Sequence, residues 1–248
     1  QQARYLLNYI QDSKRWQGIF DVTAQISADH DQFLARNPHA VTDIVQVFEE
    51  SKGQDPRTRR YLALVLGLFG DHEAVTALRG GLGDSDAETV KNCVWALGRV
   101  GDEDSVLRII ELTHSDESSV RLMAVYVLGS MNSPQARSVL EASLNDPDEL
   151  VKWNAAFGLA NKGNPAAWNV LVRLLDKEYV DRVTQLMPRA GRPLAENVQR
   201  YRVAAVAWVA KLDPVKAKPL LQKMSTSEPD LQVRNAALQQ INNLLTHK

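Results

Sequence analysis

The sequence predicts an all-α protein, a solenoid of about six to seven antiparallel helix pairs. Three observations predict it. A helical pattern recurs with start residues 58, 89, 120, 151, 201 and 233, so three successive spacings are 31, the next is 50 and the last is 32. A second helical pattern lies between successive copies, and similar capping residues flank the helices in several copies. A fixed period of this length is the signature of a repeat architecture.

The recurring pattern predicts the second helix of each pair, here called the inner helix. It occurs as TRRYLALVLGLFGD, TVKNCVWALGRVGD, VRLMAVYVLGSMN, VKWNAAFGLANKGN, YRVAAVAWVAKLD and VRNAALQQINNL. At 100° per residue, positions 1, 5, 8, 9 and 12 of each copy share one side of the helix and carry mainly Val, Ala and Leu. We expect this side to form the core with the other helix of the pair, here called the outer helix.

Capping residues predict where these helices begin and end. Asp precedes four inner helices by three residues and accepts hydrogen bonds from free first-turn N–H groups there. Gly closes three inner helices in the left-handed conformation, and Pro occupies the first turn of three outer helices. The residues concerned are Asp55, Asp86, Asp148 and Asp230, then Gly70, Gly101 and Gly163, then Pro134, Pro165 and Pro214.

The repeat register predicts a single solenoid over residues 1–248 with four parts. Residues 1–54 form atypical N-terminal capping repeats, 55–175 the regular 31-residue repeats, 176–200 an insertion, and 201–248 the C-terminal repeats and cap. We expect the insertion to extend the preceding outer helix and then to form a loop. Long loops of this kind are often functional, although a tolerated surface insertion fits the sequence equally well.

Composition excludes several classes of protein. The net charge of −1 gives no bias toward nucleic acid, and a single cysteine, Cys93, rules out an internal disulfide. No apolar run reaches the roughly 18 residues that span a bilayer. The sequence begins Gln1-Gln2, so we expect a processed piece. A cytoplasmic location is slightly favoured over the soluble part of an N-terminally anchored envelope protein.

Several inner helices resemble the HEAT-repeat family, in particular the short bacterial type seen in phycobilin lyase subunits. That type carries V-R-x-x-A-A-x-A-L-G-x-L-G-D in its second helix. The matching residues are Val120, Arg121, Ala124, Leu128 and Gly129 in one copy, and Val151, Lys152, Ala155, Ala156 and Leu159 in the next. The resemblance spans at least residues 40–246. It implies a right-handed superhelical stack, and it leaves the function open because the family serves many roles.

Two enzymatic families share this architecture, and the sequence matches the site of neither. Deoxyhypusine hydroxylases bind two irons through several His-Glu pairs, whereas this sequence has one such pair, at His72-Glu73. Alkylpurine DNA glycosylases use a basic groove with a catalytic Asp. The basic residues at position 2 of each copy are instead expected to form ion pairs with Asp residues of adjacent turns. We therefore expect no enzymatic activity, no metal site and no cofactor, and Cys93 is expected to be a buried apolar residue.

Positions 3 and 7 of each inner helix lie opposite the predicted core, on what the resemblance makes the concave face. They carry apolar, aromatic and basic residues, and further arginines are expected at the rim. The predicted partner-binding residues are Trp95, Tyr126, Phe157, Trp153, Leu122, Lys91, Leu64 and Arg60, and the predicted rim is Arg99, Arg182, Arg189 and Arg192. Trp16 and Phe20 would extend the row. The alternative is that these aromatic side chains pack between neighbouring inner helices or beneath the insertion.

If six aromatic side chains stay half exposed, they form an apolar strip of about 600 Å², the upper range for a monomer surface. Such a strip predicts a protein-interaction scaffold for an acidic amphipathic peptide or helix. The partner would belong to a larger assembly, including a membrane-associated one, and nucleic acid is not favoured. Two alternatives stay open from family likeness: a bilin lyase-like or chaperone-like subunit, and a DNA-repair glycosylase-like protein.

Overall fold

The computed structural model describes residues 30–187 and 195–246. The described residues form fourteen α-helices, and three short 3₁₀ turns, His72–Ala74, Glu103–Ser105 and Pro165–Ala167, precede α4, α6 and α10. The helices are α1 (His30–Arg36), α2 (Ala40–Glu50), α3 (Pro56–Phe69), α4 (Val75–Gly81), α5 (Ala87–Val100), α6 (Val106–Leu112), α7 (Ser118–Ser130), α8 (Gln135–Ser143), α9 (Glu149–Asn161), α10 (Trp168–Leu175), α11 (Lys177–Leu186), α12 (Ala195–Leu212), α13 (Pro214–Ser227) and α14 (Leu231–Thr246).

These helices pack in pairs, which confirms the predicted all-α repeat architecture. The chain divides into two compact units, unit 1 (Gln1–Ala136) and unit 2 (Arg137–Lys248). In unit 1, α2 packs on α3, α4 on α5 and α6 on α7, and the inner helices α3, α5 and α7 also pack side by side. In unit 2, α10 packs on α12 and α13 on α14, while α12 and α14 are neighbouring inner helices.

The predicted core positions are buried in the copy that starts at residue 120. Its positions 1, 5, 8, 9 and 12 are Val120, Ala124, Val127, Leu128 and Met131, and none exposes more than 7% of its surface. In the C-terminal copy, positions 8, 9 and 12 stay partly exposed. The spacing of the five positions places them on one side of the helix, where they contact the outer helix of the same repeat. The opposite side of each inner helix is therefore left for other contacts.

The predicted caps form. The four aspartates accept backbone hydrogen bonds in the first turn of α3, α5, α9 and α14, with donors Arg57 N, Thr89 N, Leu150 N and Gln232 N. Three glycines take the left-handed conformation that closes a helix, namely Gly70 (φ 64°), Gly101 (φ 76°) and Gly163 (φ 67°). Local capping chemistry and repeat period therefore specify the same helix boundaries.

Basic residues at position 2 make structural contacts, and two of them bridge successive repeats, but of these two only Arg59 pairs with an Asp of the adjacent turn as predicted. Arg59 Nε lies 2.7 Å from Asp84 Oδ2, and Arg202 Nη2 lies 2.7 Å from Glu228 Oε2. Position 2 of the other copies bonds within its own repeat: Arg121 to Ser115 O, Lys152 to Glu149 and Arg234 to Glu228 O. These five side chains are engaged in the fold and do not form a free basic row.

The expected extension of the outer helix into the insertion is wrong. Helix α10 ends at Leu175, and Asp176 adopts an extended conformation with φ −78° and ψ 107°. Its carboxylate accepts hydrogen bonds from Glu178 N and Tyr179 N, so it caps a separate helix, α11. An Asp that captures first-turn N–H groups begins a new helix in preference to continuing the old one. Helix α12 then begins at Ala195, before the register start at residue 201.

Candidate interaction surface

The side of α3, α5 and α7 opposite the core forms what we call the inner-helix face of unit 1. It is made by positions 3 and 7 of three successive repeats, namely Arg60, Leu64, Lys91, Trp95, Leu122 and Tyr126. Tyr126 exposes 55% of its surface, and the other five are partly exposed. The repeat period brings these six predicted residues to the same side of adjacent helices.

Trp95 packs sideways onto the neighbouring inner helix. A Cβ atom added at Gly67 would lie 2.6 Å from Trp95 Cζ3 and 2.7 Å from Ala96 Cβ, so the indole occupies the space that the missing side chain leaves. For Trp95, the alternative that the aromatic side chains pack between neighbouring inner helices is therefore correct in part. The indole is also partly exposed. It therefore both packs against α3 and forms part of the inner-helix face.

Arg99 completes the contact between α3 and α5. Its Nε donates a hydrogen bond of 3.1 Å to the carbonyl oxygen of Gly67, and its guanidinium carbon lies 5.4 Å from the centre of the Trp95 ring. This distance is within the range of a cation–π contact. The side chain of Arg99 is nevertheless exposed and forms no salt bridge among the described residues, so its positive charge is available at the edge of the face.

The other two basic residues of the face are paired with carboxylates. Arg60 Nη2 lies 2.5 Å from Asp86 Oδ1, and Arg60 Nε lies 2.7 Å from Asp86 Oδ2. This hydrogen-bonded pair lowers the pKa of Asp86 to about 2, against the opposing effect of burial. Lys91 pairs with Glu88 one turn earlier on α5. Of the three basic residues predicted along this side in unit 1, Arg99 is therefore the one whose charge is not paired with a carboxylate within the described residues.

Close contacts fix the inner helices of unit 1 against one another. A Cβ at Gly98 of α5 would lie 2.7 Å from Val127 Cγ1 of α7, so these two helices also approach through a glycine. Between α5 and α3, Asn92 Nδ2 donates a 2.8 Å hydrogen bond to the carbonyl oxygen of Arg60. The face is thus carried by a tightly packed helical layer and not by loops.

In unit 2, the prediction for Trp153 is wrong. Its side chain is fully buried, and its ring lies edge-on to Tyr201 with centroids 5.5 Å apart. Phe157, one turn later on α9, stacks on the same Tyr201 at 5.9 Å and stays partly exposed. Tyr201 belongs to the inner helix that follows the insertion, so the next repeat covers the position that the sequence placed at the surface.

Sequence reasoning missed Tyr201 because position 1 was assigned to the core. In the other copies this position carries Thr or Val, and only here is it aromatic. An aromatic residue at a position occupied elsewhere by small residues was the available signal. It would have indicated an aromatic cluster in unit 2 instead of an open strip.

Of the rim arginines predicted in the insertion, Arg182 is described, and it is exposed on α11 in unit 2. The other two predicted arginines, Arg189 and Arg192, lie outside the described residues, as do Trp16 and Phe20. Tyr179 fixes α11 to α9 by donating a 2.5 Å hydrogen bond to Glu149 Oε2. Burial, and then the bond to Glu149, raises the pKa of Tyr179 to about 12.

The described residues contain no group of three or more His, Cys, Asp or Glu side chains placed to hold a metal ion. His72 is exposed in the turn before α4, as the sequence indicates. Cys93 is fully buried, and burial raises the pKa of its thiol to about 12. In the part of the chain that the structure describes, no helix combines the length and apolarity needed to cross a bilayer.

Comparison with known proteins agrees with the helix pairs seen here. Residues 44–119 and 106–187 match the family described as HEAT repeats, and together these ranges span more than half of the 248 residues. The chain belongs to the HEAT-repeat family. No curated protein matches this HEAT protein in sequence.

Two solved structures illustrate what the HEAT protein is similar to. The complex of CpcE and CpcF of phycocyanin lyase from Nostoc sp. PCC7120 shares 16% identity at a TM-score of 0.58, over 98% of this chain and 94% of that chain. A designed armadillo repeat protein in complex with the peptide (KR)4 shares 17% identity at a TM-score of 0.50, over 97% and 98% of the two chains. Likeness at this identity shows a common fold.

Proposed function

We propose that this HEAT protein is a non-catalytic scaffold that binds an amphipathic segment of a partner protein on the inner-helix face of unit 1. The observation that carries the proposal is Tyr126, which exposes 55% of its surface on the side of α7 opposite the core. No aromatic or hydrogen-bonding partner of Tyr126 lies among the described residues. Tyrosine combines a large apolar area with a polar hydroxyl, which is why it is enriched at protein interfaces.

The neighbours of Tyr126 support this assignment. Trp95 and Leu64 occupy the same register position in the two preceding repeats and are partly exposed. The three side chains therefore offer apolar contacts on successive helices, the arrangement that an amphipathic helix or extended peptide can use. Because the supporting helices are tightly packed, binding loses little conformational freedom on this side.

Charge narrows the chemistry of the partner. Arg60 and Lys91 are already paired with Asp86 and Glu88, so they add little net positive charge. Arg99, at the edge of the face, is exposed and keeps its positive charge available to a carboxylate of a partner. We therefore infer a partner segment with apolar or aromatic anchors and an acidic side chain near Arg99, and not a strongly acidic segment.

The comparisons support the proposal at the level of the fold. The designed armadillo protein holds a peptide, so a helical-repeat chain of similar extent can act as a peptide-binding scaffold. That peptide is basic, and its chemistry does not transfer to a face that carries Arg99. HEAT-type solenoids form extended binding surfaces because each repeat presents equivalent positions.

A bilin lyase-like or chaperone-like subunit is the second candidate. It is favoured by the likeness to the CpcE–CpcF complex over nearly the whole length of both chains. Mixing this HEAT protein with bilin-bearing proteins and recording bilin absorbance tests it, and a spectral change would favour the lyase.

The DNA-repair alternative is tested by measuring the affinity for duplex DNA at several salt concentrations. An affinity that falls steeply as the salt concentration rises would favour it.

The proposal is tested by selecting binders from a displayed library of short helical peptides. Peptides enriched on the wild type should carry apolar anchors and an acidic residue, and Tyr126→Ala should weaken them at least about tenfold, which corresponds to about 1.4 kcal/mol. Leu107→Ala is the matched control, since Leu107 is 65% exposed on the outer helix α6. Equal binding to wild type and Tyr126→Ala would place the interaction elsewhere.

A further inference from the structure

Helix α14 exposes three leucines at seven-residue spacing. Leu231, Leu238 and Leu245 expose 62%, 42% and 52% of their surfaces. At 100° per residue, a seven-residue step returns to within about 20° of the same direction. The three side chains therefore form one line along the helix.

This line lies on a different side of α14 from the contacts that the helix makes inside unit 2. The helix packs on α12 and α13 through the side that contains the buried residues Val233 and Ala237. Leu238 occupies position 6 of its copy, an apolar position that is buried in the other five copies, where it carries Ala63, Val94, Val125, Ala156 and Val206. On α14 this position is exposed, and Leu231 and Leu245 continue it along the helix. An apolar line of this kind on a helix is a contact surface for another helix.

Asn235 and Asn242 complete the line. Each follows a leucine by four residues, so the order Leu231, Asn235, Leu238, Asn242 and Leu245 reproduces the alternating four- and three-residue steps of a coiled-coil seam, with leucine at d and asparagine at a. Both asparagines are exposed. Asparagine at a positions of a parallel pair faces its own copy across the seam, where one amide donates to the other.

The chemistry of this seam fits a second copy of the same chain. Its five residues carry no charge, and the neighbouring Gln232 and Gln239 are also neutral, so two identical faces meet without like-charge repulsion. The nearest cation, Arg234, donates a hydrogen bond to Glu228 O within its own chain. Amide side chains both donate and accept, which makes the face complementary to itself.

We propose that two copies of this HEAT protein associate through the Leu231–Asn235–Leu238–Asn242–Leu245 seam of α14, with the two helices parallel. The contact is independent of the inner-helix face of unit 1. A single helix of this length buries less area than a standard interface of about 800 Å² per partner. We therefore expect a reversible dimer with a dissociation constant on the order of 10 µM.

Sedimentation velocity of the full chain between about 1 and about 200 µM tests the association, a range that brackets the expected constant. The wild type should shift from monomer to dimer, and Leu238→Asp should remain a monomer. Leu107→Asp is the matched control for an exposed leucine in unit 1 and should dimerise like the wild type. A wild type that stays monomeric throughout, or a Leu238→Asp variant that still dimerises, overturns the proposal.

A second variant is used if Leu238→Asp does not fold. If Leu238→Asp loses its helical circular dichroism, Asn235→Lys/Asn242→Lys replaces it, because both asparagines are exposed and lysine is a good helix former. Lysine at both a positions places like charges together only in the parallel dimer. This folded double variant should be a monomer, and a dimer would overturn the proposal.

The parallel orientation is tested by cross-linking. Because Cys93 is fully buried, an Asn242→Cys variant has one accessible thiol. In a parallel pair the two engineered thiols meet, and a copper–phenanthroline oxidant should convert them to an intermolecular disulfide, which needs Cα atoms within about 7 Å. A Ser227→Cys variant at the end of α13 is the control. Equal cross-linking in the two variants overturns the parallel arrangement.

Discussion

The indole of Trp95 lies over the backbone of Gly67 on the neighbouring inner helix. A Cβ at Gly67 would be 2.6 Å from Trp95 Cζ3, a distance that side chains do not adopt. Arg99 contacts both residues, through its hydrogen bond to Gly67 O and its cation–π contact with the indole. The tryptophan and the glycine are therefore one packing unit formed by two repeats.

Adding a methyl group to that unit should destabilise unit 1. Gly67→Ala forces the indole or the backbone of Ala96 to move, and overpacking of this kind costs about 1–3 kcal/mol. The matched control is Gly80→Ala on α4, where no atom lies within 4 Å of the added Cβ and alanine favours the helix. Urea denaturation measures both. A Gly67→Ala variant as stable as Gly80→Ala would contradict the packing described here.

Asp86 should make the stability of unit 1 depend on pH. Its pKa is lowered from 3.8 to about 2 in the folded protein, so the stabilisation is present above pH 4 and is lost as the pH falls toward 2. Asp86→Asn keeps a capping oxygen but removes the charge. We expect it to be less stable than wild type at pH 7 by about 1–2 kcal/mol, with solvent screening at the partly exposed Arg60 included.

Urea denaturation at several pH values checks this dependence, and the deficit of Asp86→Asn should close between about pH 4 and pH 2. Asp86→Ala is the comparison, since it also removes the cap to Thr89 N and should keep a deficit of about 1 kcal/mol at low pH. A deficit of Asp86→Asn that is the same at every pH would show that the ion pair with Arg60 does not stabilise the fold.

The buried ion pair of unit 2 should be far more sensitive than an exposed one. Arg202 and Glu228 are 3% and 6% exposed, and Arg202 also donates to the carbonyl oxygens of Leu174 and Leu175. Arg202→Met leaves a buried carboxylate and two carbonyls without their donor, which costs about 3–5 kcal/mol.

The matched control is Lys177→Met, because Lys177 pairs with Asp181 on α11 with both side chains nearly half exposed. Removing an exposed pair of this kind changes stability by about 0.5 kcal/mol or less. Thermal denaturation compares the two variants. Similar melting temperatures for Arg202→Met and Lys177→Met would mean that the buried pair is dispensable.

The thiol of Cys93 should not react in the folded protein. It is fully buried, and its pKa is raised to about 12, so at pH 8 it is both inaccessible and protonated. Ellman's reagent should leave it unmodified until urea unfolds unit 1, after which one thiol per chain reacts. Rapid reaction of the native wild type would show that α5 opens locally. The Asn242→Cys variant supplies the positive control for an exposed thiol.

Much of the fold was predictable because each feature depends on residues close in sequence. The 31-residue period, the aspartate caps and the left-handed Gly70, Gly101 and Gly163 all arise from local geometry, and the structure confirms them. The break at Asp176 is also local, but the apolar periodicity of α10 and α11 concealed it. The carboxylate of Asp176 caps the first turn of α11, so α10 ends there and a new helix begins.

The face was less predictable, because position in a repeat does not determine what covers a residue. Tyr126 at position 7 and Trp153 at position 3 both lie opposite the core of their helices, yet one is 55% exposed and the other is fully buried. One residue that covers Trp153 is Tyr201, which lies 48 residues further along the chain. Similarly, the sequence shows that Arg60 is positively charged, but it does not give the distance between two repeats that brings Arg60 to Asp86.

Gly67 and Gly98 have a consequence for any partner that contacts more than one repeat of unit 1. Because a Cβ at Gly67 or Gly98 would collide with Trp95 or Val127, α5 packs closely against both α3 and α7, and these contacts fix the step between the three helices. A ligand must therefore match its own anchor spacing to a fixed step between helices. The face therefore selects partner segments by the spacing between their anchor side chains. A segment with the right side chains at the wrong spacing would contact Trp95 or Tyr126, but not both.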